Sequence, residues 1–155
     1  MELHERNHSS PPSALRRPGL LAWLRLLRVT RRTEAQAAQA LLAWNLSYAQ
    51  FDVLAQVGAD EGISQQALAV RLFVTQGNIT QLLDKLEQRG LVRRARSGRT
   101  NHILLTAQGR QLVAEVVPAH EAWLLERMGG LSAVEQHQLL RLLTKLDRAQ
   151  RHELV

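Results

Sequence analysis

Residues 62 to 92 read Gly-Ile-Ser-Gln-Gln-Ala-Leu-Ala-Val-Arg-Leu-Phe-Val-Thr-Gln-Gly-Asn-Ile-Thr-Gln-Leu-Leu-Asp-Lys-Leu-Glu-Gln-Arg-Gly-Leu-Val, and the next seven are Arg93-Arg94-Ala95-Arg96-Ser97-Gly98-Arg99. Ser64 is a good N-cap residue, Ile63 before it suits a hydrophobic staple with Leu68, and Ala67, Leu68 and Leu72 share one face. A short helix is therefore expected. Thr75 offers a second cap after Phe73-Val74, and from there Ile79, Leu82, Leu83 and Leu86 recur at i, i+3, i+4 and i+7. That stripe predicts a second helix with one face in the core.

The other side of this second helix carries Gly77, Thr80, Gln81, Asp84 and Gln88, with Gln76 and Asn78 flanking its first turn. Alone, such a face reads first as the solvated side of a surface helix. Gln and Asn also pair bidentately with adenine N6 and N7, and a glycine allows close backbone approach, so the same turn suits base-edge reading. The residues after the helix decide between the two. Arg89-Gly90 closes it with a glycine cap, Leu91-Val92 opens a strand, four arginines crowd a tight turn around Ser97-Gly98, and His102 to Leu105 returns as a second strand. With little apolar to bury, a hairpin so rich in guanidinium suits phosphate forks and narrow minor grooves. The expected unit is a winged helix-turn-helix that places one helix in a DNA major groove.

Charge points the same way. The chain is 155 residues long with a formal net charge of +6. Residues 16 to 32 hold six arginines and no acid, and residues 71 to 99 hold seven basic against two acidic residues. Positive charge is segregated, as a polyanion partner requires. Eighteen Arg against two Lys fits forked phosphate contacts, and fits equally the coding bias of a GC-rich genome.

Taken together these motifs resemble the MarR family of winged-helix transcription regulators, over about residues 20 to 150. Gln50-Phe51-Asp52-Val53-Leu54, Leu68-Ala69, Val74-Thr75-Gln76-Gly77-Asn78-Ile79-Thr80, Leu86-Glu87-Gln88-Arg89-Gly90-Leu91-Val92 and Leu105-Thr106-Ala107-Gln108-Gly109 carry the resemblance. It implies a mostly helical homodimer with a small β-hairpin wing and a palindromic double-stranded operator. Two recognition helices would then lie about one DNA turn apart. It also implies relief of repression by a small aromatic or other lipophilic effector. The wing departs from the family pattern: it is short, and Ser97 stands where the family usually has Asp, while Arg99 keeps the wing-tip Arg. On this reading Gln76, Gly77, Asn78, Thr80 and Gln81 face bases, Ser64, Gln65 and Thr75 contact phosphates, and Arg94, Arg96 and Arg99 hold the wing.

Residues 1 to 15, with Ser9-Ser10-Pro11-Pro12, read as a flexible tail. Residues 16 to 46 read as a dimerisation helix in which Leu20, Leu24 and Leu27, then Ala35, Ala38 and Leu42, face other helices. Residues 47 to 106 form the DNA-binding lobe and 107 to 155 the C-terminal dimerisation helices, all within one structural domain. There Thr106 caps a helix, Pro118 bends or breaks it, and Ala122 to Met128 resumes it. A last helix from about Ser132 carries more leucines than one exposed face needs, namely Leu139, Leu140, Leu142, Leu143 and Leu146. These suit packing between subunits.

Export and membrane insertion are not expected, because Arg25, Arg28, Arg31 and Arg32 interrupt the apolar stretch from Leu20, although a basic helix lying on a membrane surface remains a reading of this segment. The absence of cysteine excludes disulfides, thiolate zinc sites and thiol-based peroxide sensing. Six scattered histidines give no metal site, and no phosphate-cradling loop or nucleophile motif appears, so neither an enzyme nor a resident cofactor is expected. Carboxylates such as Glu87, Glu115 and Glu121 read as a solvated face. Trp44, Tyr48 and His120 are candidates for the effector pocket, although each taken alone reads first as ordinary core or interface packing. The inference is a cytoplasmic DNA-binding regulator, more naturally a repressor. The alternative is a winged-helix module that docks proteins without specific DNA binding.

Overall fold

The computed structural model describes residues 17–152 and divides the chain into two units, Met1–Phe51 and Asp52–Val155. The tail assigned to residues 1 to 15 lies outside the described residues. In the first unit, helix α1 spans Pro18–Leu41 with Pro18 in its first turn, where a missing N–H costs nothing. A short 3-10 turn, Leu42–Trp44, comes next, and Asn45 ends it in the left-handed region at φ 53°. Ala37, Leu41, Leu46 and Phe51 are buried, whereas Leu20, Leu24 and Leu42 are exposed. The inward face of α1 near its C-terminus thus lies one position from the expected Ala38 and Leu42. From Ala35 to Leu42 the helix is Ala- and Leu-rich on nearly every side, so periodicity alone does not choose the face.

Helix α2 spans Tyr48–Ala59 and starts with a reciprocal capping box, in which the Ser47 N–H donates to Gln50 Oε1 at 3.0 Å and the Gln50 N–H donates to Ser47 Oγ at 3.2 Å. In the second unit α3 (Gln65–Arg71) and α4 (Gln76–Gln88) form the helix-turn-helix. Both begin where the side chains dictate: Ser64 Oγ accepts from the Ala67 N–H at 3.1 Å and Thr75 Oγ1 from the Asn78 N–H at 3.2 Å. Ile63, Leu68, Ala69, Ile79, Leu83 and Leu86 are buried and join Val53, Leu54 and Val57 in the core of this unit. Replacing Thr75 by Ala is expected to cost about 1 kcal/mol, measurable as a lower urea midpoint with an unchanged slope.

Strands β1 (Val92–Ser97) and β2 (Thr100–Leu105) pair antiparallel with Ser97 opposite Thr100, leaving the two-residue loop Gly98-Arg99. Gly98 takes φ 60° there, the positive value that such a tight hairpin loop demands. The hairpin is longer than its expected second strand and less polar than its arginines imply: Val92, Ile103 and Leu105, which share one face of the ladder, are buried. Residues 62 to 64 extend the ladder. Gly62 N–H donates to Ile103 O and Ile103 N–H to Ile63 O, both at 2.9 Å, so the approach to α3 is tied to β2.

Helix α5 spans Ala107–Met128. It runs through Pro118 without interruption, so of the expected bend or break the break does not occur. One lost N–H bond removes only a local contact from a helix with a full run of turns on either side, and Val116 beside it is buried. Helix α6, Ala133–His152, starts from a capping box in which Ser132 N–H and Oγ both donate to Glu135 Oε2 at 2.8 Å. Those two bonds favour the ionised Glu135 carboxylate and hold its pKa below the usual value. Leu140, Leu142, Leu143 and Leu146 of α6 are exposed. No helix among the described residues is long and apolar enough to cross a membrane.

Candidate nucleic-acid interface

The first turn of α4 presents Gln76, Gly77 and Asn78 to solvent, and Gln81 is exposed one turn later. All four are uncharged. Three carry amides that donate or accept as a base edge requires, and a Cβ added at Gly77 would meet only Thr75 Oγ1 at 3.9 Å, so that surface is open. As caps, Ser64 and Thr75 use hydroxyl oxygens to accept, and their hydroxyl hydrogens meet no acceptor among the described residues, which suits donation to a phosphate oxygen.

Gln65 and Thr80 are placed differently. Gln65 Nε2 donates to Thr80 Oγ1 at 2.8 Å, and that hydroxyl donates to Gln76 O at 2.8 Å. The pair ties α3 to α4 and braces the first turn, from which the exposed amides project.

The wing arginines also divide. Arg93, Arg96 and Arg99 are exposed. Arg96 Nε donates to Gly98 O at 3.1 Å, which stiffens the loop, and the Arg99 guanidinium has no polar partner among the described residues. Arg94 instead lies on the same face of β1 as Val92, with its side chain only 19% exposed. Its backbone N–H donates to Glu87 Oε1 at 3.0 Å, its Nη1 to Glu87 Oε2 at 2.5 Å and its Nη2 to Asp84 Oδ1 at 2.7 Å. Nη2 also reaches Thr80 O at 3.3 Å. One guanidinium thus fastens the wing to α4 across two of its turns. Sequence reading misses this clamp, because it puts Glu87 on a solvated face and Asp84 among the groove-facing residues. Alternation along β1 is the available signal, since it puts Arg94 on the buried side with Val92, opposite two carboxylates three residues apart on α4.

A second set of bonds seats the wing's far end. His102 Nδ1 lies 2.7 Å from Gly62 O, the Leu105 N–H donates to Glu61 Oε1 at 3.2 Å, and Arg110 pairs with the same carboxylate. Thr106 Oγ1 donates to Gly90 O at 2.6 Å while accepting the Gly109 N–H at 3.0 Å. The exit of α4, the root of the wing and the start of α5 are one hydrogen-bonded joint.

Of the candidate effector residues, Trp44 and Tyr48 belong to the first unit and His120 to the second. Tyr48 lies 6.4 Å from Phe51, ring to ring. His120 stacks on Trp123 at 5.5 Å, and the Arg127 guanidinium sits 3.5 Å from a ring centre of the same Trp123. Partial burial holds the His120 imidazole below its ordinary pKa, with the Glu121 carboxylate pulling the other way. Among the described residues no group of three or more His, Cys, Asp or Glu is arranged to hold a metal ion.

A model of the MarR family matches residues 44–100. An HTH-type transcriptional regulator of Bacillus cereus, itself uncharacterized, is 34% identical over 131 residues, covering 84% of this chain and 89% of its own. Among solved structures, the Staphylococcus aureus MepR–DNA complex aligns with a TM-score of 0.74 at 25% identity, covering 83% of this chain and 97% of MepR. AbsC, a MarR family transcriptional regulator from Streptomyces coelicolor, shares the fold with a TM-score of 0.78 at 22% identity, over 85% of this chain and 93% of its own. With sequence relatives, fold and exposed helix in agreement, the chain belongs to the MarR family of DNA-binding transcriptional regulators, which are not enzymes.

Proposed function

We propose that the chain is a homodimeric repressor that sets α4 of each subunit into the major groove of one half of a palindromic operator and is released by a small aromatic or lipophilic effector. The observation that carries the DNA contact is the uncharged, amide-bearing first turn of α4, exposed and braced from behind by Gln65 and Thr80. Gln76, Asn78 and Gln81 read base edges, Gly77 admits the groove wall, Ser64 and Thr75 donate to phosphates, and Arg96 and Arg99 follow the backbone or the minor groove. Dimerisation falls to residues 16 to 46 and 107 to 155, in support of which α1 exposes Leu20 and Leu24, and α6 exposes Leu140, Leu142 and Leu146. Such a regulator works in the cytoplasm, where its DNA is.

The test is selection of duplexes from a randomised library, then fluorescence anisotropy of the selected and scrambled duplexes from roughly 50 to 200 mM salt. A contact with 6 to 10 phosphates predicts an affinity loss of about 10³- to 10⁵-fold over that range. Recovery of a palindrome and a steep salt slope are the expected results. No enrichment and no binding at low salt would refute the reading. Arg99→Ala is expected to weaken binding to selected and scrambled duplexes alike and to lower the salt slope by about 1. Gln81→Ala is expected to cost about 1 to 3 kcal/mol on the selected duplex while leaving scrambled binding unchanged. Equal effects of both changes on both duplexes would sink this division of labour.

A further inference from the structure

Among the described residues three helical segments end in the same hydrogen-bonded cap, and one of them ends in the wrong residue. At Asn45 the N–H donates to Leu42 O at 3.0 Å and the next N–H, from Leu46, to Leu41 O at 3.2 Å. At Gly90 the matching pair is Gly90 N–H to Glu87 O at 2.9 Å and Leu91 N–H to Leu86 O at 3.0 Å. At the end of α3 it is Phe73 N–H to Val70 O at 3.1 Å and Val74 N–H to Ala69 O at 3.0 Å. This double cap requires a left-handed residue, and the three take φ 53°, 68° and 54°. Asn and Gly tolerate that region. Phenylalanine does not, because its Cβ crowds the following carbonyl.

Burial does not offset the strain, since Phe73 is 95% exposed. Val70, one turn before it, is 70% exposed, so the ring has no apolar shelter among the described residues. A strained backbone and a fully solvated aromatic at one position both oppose folding, which points to a partner outside the fold. Its place names that partner. Phe73 lies in the turn of the helix-turn-helix, two residues before the Thr75 cap and three before the exposed Gln76 of α4. Three residues separate Phe73 from the exposed Gln76, so a duplex that meets the first turn of α4 comes within reach of this position, and the apolar feature of the major groove is the thymine C5-methyl group.

We propose that Phe73 is a specificity-determining residue that packs its ring on a thymine methyl at the edge of each operator half-site. This rests on the reading of α4 as the helix in the major groove. It adds an apolar contact to a surface otherwise made of amides and hydroxyls, and it explains a residue that folding alone would replace with glycine.

The test uses the full chain, Phe73→Gly, and duplexes selected by the wild-type protein in which each thymidine in turn is replaced by deoxyuridine, removing one methyl group. Phe73→Gly relieves the left-handed strain, so its melting temperature is expected to rise, and a loss of binding cannot then be ascribed to unfolding. Its affinity for the selected duplex is expected to fall about tenfold, with scrambled binding unchanged. The wild type is expected to lose affinity by a similar factor at one symmetric pair of deoxyuridine positions, to which Phe73→Gly is indifferent. Equal affinity of the two proteins overturns the proposal and assigns the ring to a partner other than DNA. Equal sensitivity of both proteins to every deoxyuridine also overturns it, since another residue would then read the methyl. Failure of the wild type to select any duplex would overturn the DNA-binding reading itself, an outcome distinct from either.

Discussion

Gly109→Ala is expected to lower the stability of the chain by about 3 kcal/mol, at the upper end of what a single added methyl does to a packed site. A Cβ at position 109 would fall 1.9 Å from Leu91 O and 2.9 Å from Leu91 C, far inside van der Waals contact and against backbone, not a side chain that can swing away. The obstructed region is the joint at which α4 ends, the wing begins and α5 starts. Thr106 bonds to both Gly90 O and the Gly109 N–H, so moving the first turn of α5 breaks its cap, while moving Leu91 displaces the end of the recognition helix. For a chain of this size the loss corresponds to a fall in melting temperature of about 10 °C. Gly77→Ala supplies the opposite sign: its Cβ has open space, and a helical glycine exchanged for alanine gains up to about 1 kcal/mol. Two glycines in one lobe should therefore respond in opposite directions in the same thermal scan. An unchanged melting temperature for Gly109→Ala would mean that α5 does not start against Leu91.

The same contrast separates what sequence reveals from what it hides. Ser64, Thr75 and Thr106 are legible as caps because a cap is a local matter, settled within three residues of the hydroxyl. The stripe of Ile79, Leu83 and Leu86 is legible because helical period is local too. Gly109 stands in a recognisable motif, but what makes it glycine is a carbonyl eighteen residues earlier, and no periodicity reports a contact of that span. The wing reads from its arginines as a polar hairpin, although Val92, Ile103 and Leu105 belong to the core once the register puts them on one face. Phe73 looks like the apolar lead-in to a helix, because sequence carries no direct sign of backbone handedness. Local capping and period thus find the helices and the exposed amides. The bonds from Gln65 to Thr80 and from Arg94 to Asp84 and Glu87, which brace α4 from outside, run between elements.

Arg94 concentrates those bonds, and its replacement separates two roles that the sequence leaves merged. If its guanidinium clamps the wing to α4, Arg94→Ala removes charge-assisted bonds to Asp84 and Glu87 and leaves Glu87 Oε1 holding only the Arg94 backbone N–H. A loss of about 2 kcal/mol in stability is expected, since the side chain is largely buried and the bonds are to charged groups. Arg94→Lys is expected to recover little of it, because a single ammonium cannot span two carboxylates as the planar fork does. Operator affinity should fall about tenfold as the wing loses its fixed pose, for a misplacement of about an ångström at a binding surface costs that and more. The salt slope decides the role. A phosphate-contacting arginine releases counterions, so its loss flattens the plot of log affinity against log salt by about 0.9. A clamp that never touches phosphate leaves the slope where it was while lowering the whole line, and this is the outcome the structure favours. Arg99→Ala, measured beside it, should flatten the slope with no change in melting temperature, since Arg99 is exposed and has no polar partner among the described residues. A flattened slope for Arg94→Ala at unchanged stability would return Arg94 to the phosphates and leave the pairing with Asp84 and Glu87 without a mechanical role.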